Sequence, residues 1–263
     1  MGSSSPPWVR AEAVDIAVDR QRIEGTLVAP TVRRDESPGV LLVHGWDGSP
    51  VCYLDEAHAL AAALGCVCLT FDLRGHGESE AQRETLTRED NMRDVMAAYD
   101  VLAGQQRVRK SCIALVGSSY GAYLGALLTY MRPVHLIALR APALYTDDHW
   151  EMPKRKLRVD REVAAYRRRS LRAEQNRALG ACAQFLGDAL VVESARDEIV
   201  PHPVVANYIA ALANAHSLTY RVIEGADHAL SQERWERAYI ELLVSWLSEM
   251  IRGGADPVPA GAR

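Results

Sequence analysis

The chain has 263 residues, 48% of them hydrophobic and 24% charged, with a formal net charge of −4 at pH 7. That length is enough for a full buried core, and the mild acidic balance gives no overall pull toward nucleic acid. No apolar stretch approaches a membrane span and Met1–Arg10 lacks the apolar core of a signal peptide, so the expectation is a soluble, cytoplasmic protein without a membrane partner.

In chain order, residues 1–8 are Ser/Pro-rich and read as loose. Val9–Val18 alternates polar and apolar residues, and Ile23–Val28 continues in kind. Together they predict an antiparallel hairpin at a sheet edge. Val40–Val43 is a solid apolar run, as expected of a strand covered on both faces. A helix over Leu54–Leu64 follows, then a strand over Val67–Phe71. Arg88–Leu102 places Met92, Val95, Met96 and Tyr99 on one helical face. Cys112–Val116 reads as a buried strand, Tyr120–Met131 as a helix and Leu136–Leu139 as a strand. After a long insert come a strand at Leu190–Val192, a helix over Val204–Leu212 and a strand over Leu218–Ile223. A last helix spans Gln232–Ile251 with Ser231 at its N-cap, and residues 253–263 read as a disordered tail. Strands alternating with helices predict one α/β domain with a doubly wound, mostly parallel sheet.

Ligands of such sheets sit at the carboxyl ends of the strands, so the loops there carry the argument. Gly117-Ser118-Ser119-Tyr120-Gly121 stands between a buried strand and a helix of small residues, the setting of a nucleophile elbow. A turn that sharp strains the serine backbone and brings chain segments too close for a Cβ at the flanking positions. Ser119 is therefore the candidate nucleophile. Asp197 follows the Leu190–Val192 strand, and His228 follows the Leu218–Ile223 strand. Ser, Asp and His in that chain order, at equivalent strand ends, are the parts of a nucleophile–base–orienter set. Glu198 and Asp227 are rival carboxylates; Asp227 is a poor orienter because it adjoins the histidine it would hold. His44-Gly45-Trp46-Asp47-Gly48-Ser49 reads either as a loop presenting backbone N–H groups to an oxyanion or as a plain glycine turn. Asp72-Leu73-Arg74-Gly75-His76-Gly77 is no phosphate loop, since no Gly-Lys-Ser/Thr follows, and His76 reads as a turn residue before a base. The five cysteines (Cys52, Cys66, Cys68, Cys112, Cys182) include no C-x-x-C pair; they read as buried small hydrophobes, and no metal site is expected.

With these residues in view, the chain resembles the α/β-hydrolase superfamily over nearly its whole length. The likeness rests on His44-Gly45-Trp46, Arg74-Gly75-His76-Gly77, the Ser119 turn, Asp197 with Pro201 four residues on, and Gly225-Ala226-Asp227-His228. Its serine sets it apart from the Asp-nucleophile epoxide hydrolases and dehalogenases and from the Cys-nucleophile dienelactone hydrolases. The resemblance implies a catalytic triad of Ser119, Asp197 and His228, and an oxyanion hole from the backbone N–H groups of Trp46 and Tyr120. It leaves the Trp46 and Tyr120 side chains for other work, such as lining an acyl pocket. It implies a serine esterase acting on a small-molecule acyl substrate without cofactor or metal. Thioester, amide or peptide cleavage by the same triad is the alternative, and a non-catalytic ligand-binding protein on this fold is a further one.

The insert, about residues 143–186, exceeds what one connecting helix needs, and the resemblance implies a small, mostly helical cap there. Tyr145 and Trp150 open it and are the candidate substrate-binding residues, or else pack the cap on the body. Lys154, Arg155, Lys156, Arg158, Arg161, Arg167, Arg168, Arg169, Arg172 and Arg177 make the stretch strongly basic. That run reads as a solvated face, as steering for an anionic substrate, or as a subunit contact in a homodimer. Arg140, at a strand end, reads as a surface or ion-paired residue before a substrate contact.

Overall fold

Complementary alternation builds the first hairpin: β1 (Val9–Val18) and β2 (Gln21–Pro30) pair antiparallel from Val9↔Pro30 to Val18↔Gln21. The two-residue turn between them needs a positive φ, which Asp19 supplies at 54°, one of the conformations a short polar side chain tolerates. The computed structural model describes residues 8–32, 36–46, 50–76, 84–148, 150–153, 156 and 161–253. The tail from 254 on, residues 1–7, Asp47-Gly48-Ser49, Gly77 and Lys154, Arg155 and Arg158 of the basic run lie outside the described residues.

The elements after the hairpin are β3 (Ser37–Val43), α1 (Pro50–Leu64), β4 (Val67–Phe71), α2 (Arg88–Ala103), β5 (Val108–Ser118), α3 (Tyr120–Met131) and β6 (Leu136–Arg140). The insert follows, with α4 (Arg161–Tyr166), a 3-10 turn at Ala173–Gln175 and α5 (Arg177–Ala183). Then come β7 (Asp188–Ser194), α6 (His202–Ala211), β8 (Ser217–Ile223) and α7 (Glu233–Gly253). All eight strands form one sheet in the order β1-β2-β4-β3-β5-β6-β7-β8. From β4 to β8 every neighbouring pair is parallel; β1 and β2 are the antiparallel edge. This is the doubly wound, mostly parallel sheet expected from the alternation.

The solid apolar runs are explained by burial on both faces. In β3, Leu41 and Val43 join the core under α2, α3, α5 and α6, while Val40 and Leu42 join the core under α1 and α7. β5 divides the same way, with Ile113 and Leu115 on one side and Ala114 and Val116 on the other. Each fully buried leucine such as Leu41 or Leu115 contributes roughly 2 kcal/mol. Cys66, Cys68, Cys112 and Cys182 are free and buried; the Cys66 and Cys68 sulfurs lie 3.4 Å apart on the α1 side.

Strand ends and one cap depart from expectation. β5 begins at Val108, before its apolar run: Val108 pairs with Ser37 and the next pair is Gly39 with Ile113, so Arg109, Lys110 and Ser111 form an irregular stretch that needs no apolar side chain. Ser231 is not the N-cap of α7. Its hydroxyl and its N–H both donate to the Asp227 carboxylate, while within the first turn of the helix the N–H groups of Trp235 and Glu236 donate to the Gln232 carbonyl.

Strand order reverses direction between β3 and β5, so the loops leaving those two strands diverge to open a crevice at their carboxyl ends. The His44–Trp46 turn leaves β3 and Ser119 leaves β5, and both therefore enter that crevice.

Candidate active site

Ser119 sits at φ 52°, ψ −112°, a strained conformation for a residue with a side chain. It is held there by three backbone bonds: its N–H donates to the Arg140 carbonyl at 2.8 Å, and its carbonyl accepts from Tyr123 and Ala143 at 3.1 and 3.0 Å. The flanking glycines are demanded by close approach. A Cβ on Gly121 would lie 2.1 Å from the Val43 carbonyl oxygen, and one on Gly117 would lie 2.7 Å from Ala122 Cα. Gly45 is pressed against the same turn, since a Cβ there would meet Ser118 O and Ser119 Cβ at 3.3 Å. The parallel pairing of β3 with β5 thus packs the Gly45 backbone directly beside the serine.

The structure brings Ser119, His228 and Asp197 together. His228 Nε2 is 2.9 Å from Ser119 Oγ, and His228 Nδ1 is 2.6 Å from Asp197 Oδ2. A carboxylate only accepts, so the proton on the histidine sits at Nδ1 and leaves Nε2 as an acceptor for the serine hydroxyl. Asp197 is aimed by its own loop: Oδ1 accepts the N–H groups of Ile199 at 2.9 Å and Val200 at 2.7 Å, which turns Oδ2 to the imidazole. The Asp197 side chain is 3% exposed and that of His228 16%, so the pair is shielded but the ring edge reaches solvent. The two loops are stitched by Ala195 N–H to Ile223 O and Arg196 N–H to Ala226 O. Glu198 is exposed, and Asp227 is occupied with Ser231, whose hydrogen bonds hold its carboxyl below the usual carboxylate range. Neither rival approaches the imidazole as Asp197 does.

Three residues flagged in the sequence have other surroundings. His76 lies between carbonyls, with Nε2 2.5 Å from Trp46 O and Nδ1 3.1 Å from Leu73 O, which makes it a strut under the Gly45–Trp46 turn. His44 is a second strut: Nδ1–H donates to Gly45 O at 2.7 Å and Nε2 accepts the Leu73 N–H at 3.0 Å. Arg140 is neither on the surface nor ion-paired within the described residues. It is buried, and it donates to the His228 carbonyl at 2.8 Å and to Ser118 Oγ. Sequence offered no signal for this, since a strand-end arginine looks the same whether its neighbours are water or loops.

The aromatic residues cluster on the α2/α3 side of the crevice. The Tyr120 side chain is wholly buried among Trp46, Tyr123 and Tyr145, and its hydroxyl donates to Asn91 at 3.3 Å; it is not free to line a pocket. Tyr145 is also buried, edge-on to Tyr123 at 5.0 Å, with the Arg167 guanidinium 4.9 Å from its ring centroid. Trp150 is half-buried between Arg88 and Arg177, at 5.1 and 5.5 Å. Both candidate substrate residues thus take part in packing the insert on the body. Arg88, missed in the sequence, is completely buried and donates to the carbonyls of Thr146 at 2.5 Å and Asp148 at 2.6 Å. Arg167 donates to Leu144 O and to Ile199 O, joining the insert to the Asp197 loop. One member of the basic stretch, Arg167, is therefore a structural tie. No helix among the described residues is long and apolar enough to cross a membrane.

A model of the alpha/beta hydrolase family matches residues 40–242. Over 119 residues the chain is 30% identical to the mitochondrial palmitoyl-protein thioesterase ABHD10 of Homo sapiens, covering 43% of this chain and 36% of that protein. Over 127 residues it is 28% identical to the probable protein phosphatase methylesterase 1 of Caenorhabditis elegans, covering 48% and 33%. The matches span about a third of the length of these curated relatives. Among solved structures, a dienelactone hydrolase from Anabaena variabilis superposes with a TM-score of 0.66 at 18% identity, over 92% of this chain and 99% of that one. At that identity the likeness is one of fold.

Proposed function

The chain belongs to the alpha/beta hydrolase family, and from that premise we propose that it is a serine hydrolase that cleaves a carboxylic ester of a small or medium acyl substrate. The observation that carries this reading is the unbroken line from Asp197 Oδ2 through His228 to Ser119 Oγ, with contacts of 2.6 and 2.9 Å. A serine hydroxyl is a weak nucleophile at neutral pH; the unprotonated Nε2 of His228 takes its proton as Oγ attacks the acyl carbonyl. Asp197 keeps the imidazole in the required tautomer and stabilises the imidazolium that forms.

The tetrahedral oxyanion is received by the backbone N–H of Tyr120, the first residue of α3, where the helix terminus favours negative charge. The N–H of Trp46 is the second donor, on the turn pressed against Ser119. Losing one such donor costs on the order of 3 kcal/mol in the barrier. His228 then protonates the leaving alcohol and the acyl group stays on Ser119; water deprotonated by the same base attacks the acyl carbonyl, the bond to Oγ breaks, His228 returns the proton to Oγ and the carboxylic acid leaves. Half-buried Trp150, backed by Tyr145, borders the acyl or leaving group. The partner is a small molecule; nucleic acid and membrane have no part in this reading.

The relative named as a palmitoyl-protein thioesterase favours a second reading in which the same steps expel a thiolate. The two are separated by hydrolysis of p-nitrophenyl esters from acetate to decanoate against the matching acyl thioesters, with wild type and Ser119→Ala at equal purity. Turnover of the ester series by the wild type and none by the variant supports the esterase; faster turnover of the thioesters moves the assignment. A folded wild type that turns over neither series and takes no fluorophosphonate at Ser119 refutes the hydrolase and leaves a binding role.

A further inference from the structure

One buried cation bonds to two of the loops the proposed reaction needs. Arg140 ends β6 and pairs in register with Ser118 at the end of β5. It is 8% exposed, and no carboxylate among the described residues lies within ion-pairing distance of it. Its carbonyl accepts the Ser119 N–H at 2.8 Å. One arm of its guanidinium donates to the His228 carbonyl at 2.8 Å, and the other donates to Ser118 Oγ. The Ser118 hydroxyl lies beside that of Tyr53, which accepts the Gly45 N–H at 3.3 Å. The Tyr239 ring lies 5.7 Å below the guanidinium, and the buried Glu56 is near enough to feel its charge.

We propose that Arg140 is a positioning residue for the hydrolysis: through Ser118 and Tyr53 it locks the His228 loop, the Ser119 turn and the Gly45–Trp46 turn into one geometry. This rests on the serine-hydrolase reading. The physical case is the cost of burying such a group. A guanidinium taken out of water without a counter-ion is expensive, and a packing role alone would be met by an apolar side chain without that cost. What an apolar residue lacks is a rigid fork with two donors pointing to two different loops, and lysine lacks it too. The side chain of His228 is aimed by Asp197, but its backbone must also be placed, since an error near 1 Å between base and nucleophile costs about 100-fold in rate. The Arg140–His228 carbonyl bond does that placing. The Ser118–Tyr53 branch carries the same reference point to the oxyanion side.

The test uses the full-length protein with Arg140→Lys, Arg140→Ala, Ser118→Ala, Tyr53→Phe and the Ser118→Ala/Tyr53→Phe double variant. Competent sites are counted by fluorophosphonate titration, and turnover of a p-nitrophenyl ester is expressed per titrated site. A merely structural role lowers the number of competent sites; a positioning role lowers kcat at each one. The expected result for Arg140→Lys and Arg140→Ala is a fall in kcat per site of about 30- to 100-fold with KM within about twofold, and partial recovery of Arg140→Ala by added methylguanidine. Ser118→Ala and Tyr53→Phe each fall about tenfold, and the double variant falls no further, since a line cut twice is still one cut line. Should the Arg140 variants not fold, those three variants decide. Wild-type kcat per site in Arg140→Lys, or in both Ser118→Ala and Tyr53→Phe, beside an active wild type, overturns the positioning role alone. A wild type that neither hydrolyses the ester nor takes the probe overturns the hydrolase reading, and this inference with it.

Discussion

Asp197 divides its labour between two oxygens. Oδ1 is spent on the N–H groups of Ile199 and Val200, and Oδ2 faces the imidazole, so the loop sets the carboxylate before any substrate arrives. Asp197→Asn keeps the shape but turns an acceptor into an amide, which favours the wrong histidine tautomer. The expected loss in kcat is about 10⁴-fold with an unchanged unfolding midpoint, read by ester kinetics and urea titration side by side. Ser119 and His228 were legible because their residue types and their places after strands are local facts. The uses of Arg140 and Tyr120 were not. The same arginine on a strand end would have been surface had the His228 loop passed a few ångströms away, and Tyr120 was expected to be open to an acyl group but is enclosed by three other rings.

At the scale of elements, the nucleophile turn depends on β5 and α3 meeting β3 closely at Gly121. Gly121→Ala puts a methyl 2.1 Å from the Val43 carbonyl, a backbone clash that no rotamer relieves. It is expected to lower stability by about 3 kcal/mol and to reduce fluorophosphonate labelling, measured on the same preparation. The insert is tied by charge as well as by the apolar side of α5, which joins the core through Ala178, Leu179 and Cys182. Arg88 holds the Thr146 and Asp148 carbonyls, so Arg88→Met leaves two buried acceptors unpaired and should cost about 3 kcal/mol in urea unfolding. That is also why the insert was the least readable part of the chain. The helix Arg161–Tyr166 has six residues and Arg177–Ala183 seven, too short for a periodic pattern to register. The helix Glu233–Gly253 has 21 residues, with Tyr239, Leu243, Trp246 and Leu247 on its buried face, and was plain from the sequence apart from its cap.

At the scale of the whole molecule, stability should fall as pH rises from acid to neutral. Burial pushes the Glu56 carboxyl up to about 8, against the pull of Arg140, and pushes Asp72 up to about 6. Both groups bind protons more tightly folded than unfolded, where they titrate near 4.5 and 3.8. Their contribution is therefore fully present below those lower values. It is lost as pH climbs through about 6 for Asp72 and about 8 for Glu56, where a buried carboxyl must ionise or the chain unfold. Glu56→Gln removes the larger part, so its Tm between pH 5 and 8 is expected to be flatter than that of the wild type by differential scanning fluorimetry; a parallel curve would assign the slope elsewhere. The order of elements, the parallel sheet and the residue types at the strand ends were determined by the sequence itself, because apolar runs, glycines and helix periodicity act over a few neighbouring residues. The tertiary structure alone decided that Arg140 would join the Ser119 turn to the His228 loop and that Arg88 and Arg167 would fasten the insert. Each of those outcomes depends on distances between segments far apart in the chain, and such distances exist only once the sheet has brought the strand ends to one edge.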